Sequence, residues 1–368
     1  MDFDLPETAR ELADLTRRIL ADHVTQARLR EIEAAPVHFD ANLWHALGGA
    51  GVLGAALPAS VGGGDAGFLG QCAILHEIGR AVAPVPYLWH VTAAAALAHF
   101  GTDEQRARWA TPAATGSLVL TAALAEDLAD NPEAPLTRAE RVGDGWRLTG
   151  VKSLVAAGGV ADAILVPAST DDAVVLFLVR PDDPGVTLVA QQLTDGDQAT
   201  DLELTDVPLD ADRLVPGADA VHWLVSRLTV GLAAYQVGVL EQALELTAAY
   251  AREREQFGRP IGSFQAVGQR LADAYIDVEA TRLTMWEAAW RITEGLPSSA
   301  TIATAKFWAA DAGHRVAHTA VHVHGGTGID MDAQTHRYFT AAKRTEFTLG
   351  SATAQLLRIG AELADTPV

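Results

Sequence analysis

The chain has 368 residues, 49% of them hydrophobic, which is apolar material for more than one core and points to two or three domains. Its 47 acidic residues against 27 basic ones leave a formal charge of −20, a field that repels nucleic acid and anionic lipid and so excludes both as partners. A single cysteine, Cys72, rules out an internal disulfide and a CxxC pair, and its apolar setting, Phe68-Leu-Gly-Gln-Cys-Ala-Ile-Leu75, reads as a buried structural thiol.

The opening Met1-Asp-Phe-Asp-Leu-Pro6 has neither the positive charge nor the apolar stretch of a secretion signal, and no later segment offers about 18 uncharged apolar residues, so a cytoplasmic protein is expected. From Leu5 to about Thr115 the pattern is helical. Leu12, Leu15 and Ile19 form one apolar stripe, and Trp44, Leu47, Val52 and Leu53 continue the same theme. Gly62-Gly-Gly64 and Pro84-Val-Pro86 interrupt it as loops between helices.

Between about Leu118 and Val215 short valine-rich runs alternate with Asp-Gly and Pro-Gly turns. Trp146–Gly150, Ala163–Val166, Val174–Val179, Val186–Ala190 and Leu202–Leu204 are strand-length, and their spacing favours a small barrel or sandwich over a parallel sheet. From His222 the helical period returns in segments long enough for a bundle, with Val267, Leu271, Ala274, Tyr275 and Val278 on one predicted face. Breaks fall at Phe257-Gly258-Arg-Pro260, Gly295-Leu-Pro297 and Gly325-Gly-Thr-Gly328.

The first of these breaks carries chemistry. Arg254-Glu-Gln-Phe257-Gly258-Arg-Pro-Ile-Gly-Ser-Phe-Gln265 sets an arginine, an aromatic and an amide around a turn that opens a helix, a combination suited to a phosphate; an exposed helix-to-helix turn is the other reading of the same residues. His314, His318 and His322 recur at helical spacing. No carboxylate or cysteine joins them at ligand spacing, so polar packing at a subunit interface is expected and a metal is not.

Taken in order, the pieces resemble the acyl-CoA dehydrogenase family over nearly the whole chain. The resemblance rests on Gly51-Val-Leu-Gly-Ala-Ala-Leu-Pro58 before Gly62–Gly64, on Glu77-Ile-Gly79-Arg80 with Pro84, and on Leu202-Glu-Leu-Thr-Asp-Val-Pro-Leu209 with Asp212-Arg-Leu214. It rests equally on the Arg-x-x-Phe-Gly run and on His322-Val-His-Gly-Gly-Thr-Gly328, which is similar to the family's Gln-x-x-Gly-Gly-x-Gly turn. The resemblance implies a multidomain α+β fold: an N-terminal helical domain (1–115), a middle small β-barrel or sandwich domain (116–221) and a C-terminal four-helix-bundle domain (222–368). It also implies FAD shared at a subunit interface, with Arg254, Phe257 and Gln265 holding the ADP half of the flavin bound in the neighbour. Gly325 and Gly326 would allow close backbone approach, beside His322 where the family usually has glutamine.

The family's chemistry needs a glutamate to take the α-proton of the thioester while hydride leaves for the flavin. Aligned on the family, the usual positions of that glutamate hold Ser351 and Leu228, and Glu241 and Glu245 on the same helix as Leu228 read as solvated carboxylates. The family's Thr-Glu-Pro-x-x-Gly-Ser-Asp segment is represented by Ala125-Glu-Asp-Leu-Ala-Asp-Asn131, and its Lys-x-Trp-Ile-Thr-Asn strand by Lys152-Ser-Leu154-Val-Ala156-Ala157. No catalytic residue is therefore expected on this chain. The pattern most resembles the base-lacking subunit of actinobacterial heteromeric (α2β2) acyl-CoA dehydrogenases that act on steroid side-chain CoA esters. That resemblance implies a catalytic partner subunit, an acyl-CoA held mainly by the partner, and electron-transfer flavoprotein as acceptor. Two other readings stand beside it: a self-sufficient homomeric dehydrogenase with a displaced base such as Glu346, and a flavin-free acyl-CoA-binding or scaffold protein.

Overall fold

The computed structural model describes residues 5–127, 129 and 131–365. Among the described residues, seven α-helices open the chain: α1 (Glu7–His23), α2 (Gln26–Glu33), α3 (Ala41–Gly49), α4 (Gly67–Ala81), α5 (Tyr87–Phe100), α6 (Asp103–Gln105) and α7 (Thr111–Ala114). Asp40 caps α3 by accepting from the N–H groups of Asn42 and Leu43 at 3.0 and 3.2 Å, and Arg28 holds the same carboxylate in a fork at 2.7 and 2.8 Å. Two expectations shift here. The inward line of α1 is Ala9, Thr16 and Leu20, whose small members permit close approach, while Leu12, Leu15 and Ile19 are only half-buried. Val52 and Leu53 are fully buried but lie in turns beyond the end of α3, so burial rather than helical period explains their apolar character. Cys72 is buried, as expected of a structural thiol.

The middle of the chain builds β1 (Leu120–Ala122), β2 (Arg138–Val142), β3 (Gly145–Ala156), β4 (Ala163–Ser169), β5 (Val174–Val179), β6 (Val186–Gln192), β7 (Gln198–Leu209) and β8 (Leu214–Val215). All the strand-length runs named above fall inside these strands. The strands form one 8-stranded sheet in the order β6-β7-β3-β2-β4-β5-β8, with β1 beside β4. Strands β2 and β4 meet through the single pair Arg138↔Ser169, so the sheet behaves as two halves that fold over a shared core. Leu148, Leu202 and Val207 from one half join Ile164, Val166 and Phe177 from the other in that core.

The remaining elements are α8 (Ala220–Glu253), the short strands β9 (Glu255–Gln256) and β10 (Arg259–Pro260), α9 (Gln265–Thr293), α10 (Ser299–His324), α11 (Thr335–Phe347) and α12 (Ala352–Asp365). The chain divides into two compact units, one of Met1–Gln26, Cys72–Ala83 and Thr229–Val368 and the other of Ala27–Gln71 and Pro84–Leu228. In the first, Val239, Ala243, Val278, Val316 and Tyr338 anchor the bundle core. Tyr275, placed by its spacing on the inward face of α9, is 60% exposed, because Ala274 and Val278 take the buried line. Helix α8 is long and apolar enough by composition to cross a membrane, yet 83% of its most apolar window is buried inside the protein, as a core helix requires.

Helix α4 crosses α8 backbone to backbone: a Cβ at Gly79 would stand 2.0 Å from the Tyr235 carbonyl oxygen, and one at Gly238 2.0 Å from that of His76. A charged network grips the same crossing. Arg17 forks onto Glu77 at 2.8 and 2.9 Å, His76 reaches Glu241 with Nε2 at 2.6 Å and Glu77 with Nδ1 at 3.1 Å, and Arg80 binds Glu241 and Glu245. Glu241 is thus a half-buried partner in an ion network and not the solvated carboxylate expected. Burial pulls the His76 imidazole down, but Glu241 and Glu77 outweigh it and lift it to about 9. Burial likewise pushes Glu77 up, and His76 and Arg17 override it to hold the carboxyl at about 2. His76 therefore contributes stability that is complete below its ordinary value of 6.5 and fades as the pH rises through about 9, whereas the Glu77 contribution is complete above 4.5 and fades as the pH falls through about 2. The stability gap between the native protein and His76→Leu, followed by urea denaturation, is expected to hold constant below pH 6.5 and to narrow towards pH 9. A gap that does not change across that window would contradict the assignment.

Candidate cofactor site

Between α8 and α9 the Arg254–Gln265 run forms a hairpin. Gln256 pairs with Arg259 and Glu255 with Pro260, and the two turn residues, Phe257 and Gly258, have φ of +54° and +78°. Positive φ at both central positions is the signature of a tight primed turn, which Gly258 adopts freely and Phe257 only with strain. The Ile261 N–H donates to the Arg254 carbonyl at 2.8 Å and closes the base. Phe257 is 93% exposed, so a large ring is both strained and left in water, an arrangement the fold itself has no use for. Behind it, Phe264 occupies the N-cap of α9 and offers no side-chain acceptor; its backbone carbonyl takes the N–H groups of Val267 and Gly268 at 3.0 Å, so any anion at this end would be met by the N–H groups of Gln265 and Ala266. Arg259 stacks over the Phe264 ring at 4.3 Å, and Phe257 meets that ring edge-on at 6.2 Å.

The hairpin, the first turns of α9 and the end of α10 enclose a pocket of about 250 Å³, lined among others by Phe257, Phe264, Val267, Arg270 and His322. The structure therefore brings together Phe257 and His322 of the residues nominated by motif. Gln265 opens α9 beside the lining residue Ala266, and Arg254 stands exposed at the hairpin base; neither lines the pocket itself. Tyr250 stacks on His324 at 4.4 Å and ties the end of α8 to the turn that holds Gly325 and Gly326. Gly325 has φ +65° and ψ −140°, a conformation open only to glycine, and a Cβ on either glycine would meet nothing within 4 Å. Packing within the chain does not demand glycine at 326, whereas a ligand approaching from outside would. An uncapped helix start, arginines, an exposed aromatic and an open glycine turn fit the ADP half of FAD. Arg270 was not nominated from sequence because it lies beyond the motif; its position one turn into α9 was the only available signal.

The positions where a base is usual hold none. Leu228 is fully buried in α8. Ser351 is half-buried just before α12, in a turn where Leu349 and Gly350 have φ of +59° and +99°. That turn is firmly built: the buried Gln355 amide donates to the Leu349 carbonyl at 3.0 Å, and the buried Lys306 amine donates to the carbonyls of Thr345 and Glu346 at 3.0 and 3.2 Å. Glu346 is engaged by Lys343 and His314, which argues against it as a displaced base. His314 also contacts His318 ring to ring at 4.4 Å, whereas His322 lines the pocket instead. Among the described residues no group of three or more His, Cys, Asp or Glu is arranged to hold a metal.

The segments read from sequence as counterparts of the family's Thr-Glu-Pro-x-x-Gly-Ser-Asp and Lys-x-Trp-Ile-Thr-Asn motifs are tied to each other. Lys152, fully buried, reaches Glu126 at 2.6 Å, and Ser153 N–H and Oγ bond the Ala125 carbonyl and Asp127 at 2.9 and 2.8 Å. Strand β3 gains one residue over β7 between Lys152 and Val155, a bulge that turns Leu154 to φ +53° and leaves it 54% exposed. Ala156 is buried and has no side-chain donor. Leu128 and Asp130 of this segment lie outside the described residues.

Comparison with known proteins follows this geometry. Residues 6–117 match the family model described as acyl-CoA dehydrogenase, N-terminal domain, and residues 217–364 match that for acyl-CoA dehydrogenase, C-terminal domain. The chain is 49% identical over 376 residues, covering 100% of both, to acyl-CoA dehydrogenase FadE27 of Mycobacterium tuberculosis. A chain in the crystal structure of the ChsE4-ChsE5 complex from Mycobacterium tuberculosis matches with a TM-score of 0.97 at 50% identity over 100% of both chains. A chain of the Tcur3481-Tcur3483 steroid ACAD matches at 0.93 and 42% identity, over 98% of this chain and 99% of that one.

Proposed function

The chain belongs to the acyl-CoA dehydrogenase family, and from that premise we propose that it is the non-catalytic subunit of a heteromeric, α2β2 dehydrogenase, clamping the ADP half of FAD whose reactive ring serves a catalytic partner. The carrying observation is the turn at Ser351, held in place by Gln355 and lacking any carboxylate of its own. Bound FAD would supply the hydride acceptor for α,β-desaturation of an acyl-CoA. This chain's residues would bind and orient it: Arg254 and the uncapped start of α9 against the diphosphate, Phe257 against the base, and Gly325 with Gly326 as the close backbone edge. Likeness to a chain of the ChsE4-ChsE5 complex and to a chain of a steroid ACAD supports a partner subunit and a steroid-derived substrate, for which the reading takes a steroid side-chain CoA ester; electron-transfer flavoprotein as acceptor belongs to the same proposal by family resemblance.

Co-expression with the catalytic subunit, followed by the ratio of flavin to protein, tests this reading. One FAD per two chains is expected, and one per chain would contradict it. The chain purified alone should leave FAD unbleached by acyl-CoA. Within the complex, Ser351→Ala should change kcat/KM by less than about twofold, because an unassisted hydroxyl is no base at neutral pH and carries no role here. A large loss would relocate the reacting pocket onto this chain.

A further inference from the structure

Arginine supplies all but three of the 27 basic side chains, and the exceptions are Lys152, Lys306 and Lys343. Lys152 is held by Glu126 and Lys343 by Glu346. Lys306 is different: it is fully buried in α10, and among the described residues its amine donates only to two backbone oxygens at the end of α11, the carbonyls of Thr345 at 3.0 Å and Glu346 at 3.2 Å. Two acceptors suit a neutral amine, which has two N–H groups. An ammonium brings a third N–H and a full charge into a dry site that offers it no carboxylate contact. An arginine could not release its proton there, which sets this position apart from most basic ones in the chain.

We propose that Lys306 is a proton-operated latch on the turn between α11 and α12, fastened by the neutral amine and loosened by the ammonium. The turn is under tension, since Leu349 and Gly350 have φ of +59° and +99°, a region that leucine enters only with strain. Gln355 of α12 holds it by donating to the Leu349 carbonyl at 3.0 Å, and Arg358 donates to Gln355 Oε1 at 3.4 Å. Two charged side chains act on the Lys306 amine. Glu346 of α11 favours the proton, although His314 and Lys343 already engage that carboxylate, and Arg358 of α12 opposes it. Helix α9 packs on α10 as well and, among the described residues, brings no charge to bear on the amine. Burial is the largest influence and, with Arg358, takes the amine from 10.5 down to about 7 against the pull of Glu346. The closed turn therefore binds fewer protons than an open one between pH 7 and 10.5. Its stability is greatest above that window, declines as the pH falls through it and levels off below about 7.

The test uses the full chain in its assembled complex. Amide hydrogen exchange, corrected for the intrinsic rate, reads the opening of residues 347–356 at about pH 8 and about pH 6. Opening should increase about tenfold at the lower pH, the change set by an amine at about 7 in the closed turn and 10.5 in water. In Lys306→Met that increase should vanish, whatever stability the variant loses. In Arg358→Gln it should shrink, because the amine then keeps its proton to a higher pH. With only three lysines, isotope-labelled lysine in this chain gives a direct reading by NMR: one signal should titrate near pH 7. If Lys306→Met does not fold, Arg358→Gln and the lysine titration of the native chain decide. Three lysine signals that all titrate above about pH 9, equal opening of the native chain at both pH values, or an increase that persists in Lys306→Met would each overturn the latch.

Discussion

Replacing Lys152 with methionine is expected to cost about 3–5 kcal/mol of stability, the range for removing one partner from a buried ion pair. Lys152 is fully buried and Glu126 nearly so, with Nζ 2.6 Å from Oε1. The carboxylate also accepts from the Thr137 N–H at 3.0 Å, from the Thr137 hydroxyl and from the Leu136 N–H. Burial pushes the Glu126 carboxyl up, but Lys152 and Thr137 outweigh it and hold it below its usual range, while burial drives the Lys152 ammonium down against the pull of Glu126. With so many donors converging on Glu126 the carboxylate stays charged, so methionine at 152 leaves a buried anion without its counter-ion. The double variant Lys152→Met, Glu126→Gln should recover part of the loss, since it removes the stranded charge. Urea denaturation reads both; a single-variant cost under about 1 kcal/mol would show the pair to be no better than a surface contact.

That pair also shows how a chain of this fold could change its reacting groups and keep its frame. Glu126 and Lys152 lock the segment around Ala125 to β3, and the bulge at Leu154 is set by register against β7 rather than by the side chain there. The turn at Ser351 is likewise held by the Gln355 amide and the carbonyl contacts of Lys306, none of which involves the side chain at 351. Frame and reacting group are separate sets of residues. Substitution of the second set by serine, leucine and alanine therefore costs little stability, which is what a subunit relieved of catalysis by a partner would tolerate.

The same separation governs what the linear sequence revealed. Valine-rich runs between Asp-Gly and Pro-Gly turns marked the strands because alternation and turn chemistry are local, and the hairpin was legible because a tight turn constrains its own residues. Long-range pairings were not. Glu241 looked solvated because its partners, His76 and Arg80, lie far away in the chain, and Val52 and Leu53 looked helical because burial in a turn leaves the same apolar mark as a helix face. The face of α1 was misplaced by one residue because its small members, Ala9 and Thr16, add little to an apolar count yet allow the closest packing. Arg270 escaped notice for a related reason: an arginine in a helix is ordinary until its neighbours are known to include an aromatic pocket and no acid.

Within the assembled complex, Arg254→Ala is expected to lower FAD affinity about 10- to 150-fold, the loss of a charge-assisted hydrogen bond of roughly 1.5–3 kcal/mol to the diphosphate. The side chain is exposed and among the described residues makes no hydrogen bond or ion pair, so nothing in the fold depends on it. Its backbone carbonyl, which accepts from Ile261 and shapes the hairpin, is retained in the variant. Affinity and stability should therefore separate, with flavin falling away on gel filtration while the melting curve of the apo complex stays unchanged. Arg254→Lys should retain more flavin than alanine but less than arginine, since a point charge matches a diphosphate less well than a planar fork. Raising the salt concentration should narrow the difference between native and variant, because both charges lie at the surface. Flavin content equal to that of the native complex in Arg254→Ala would remove the clamp from this chain, and with it the reason for an exposed, strained Phe257 beside an uncapped helix.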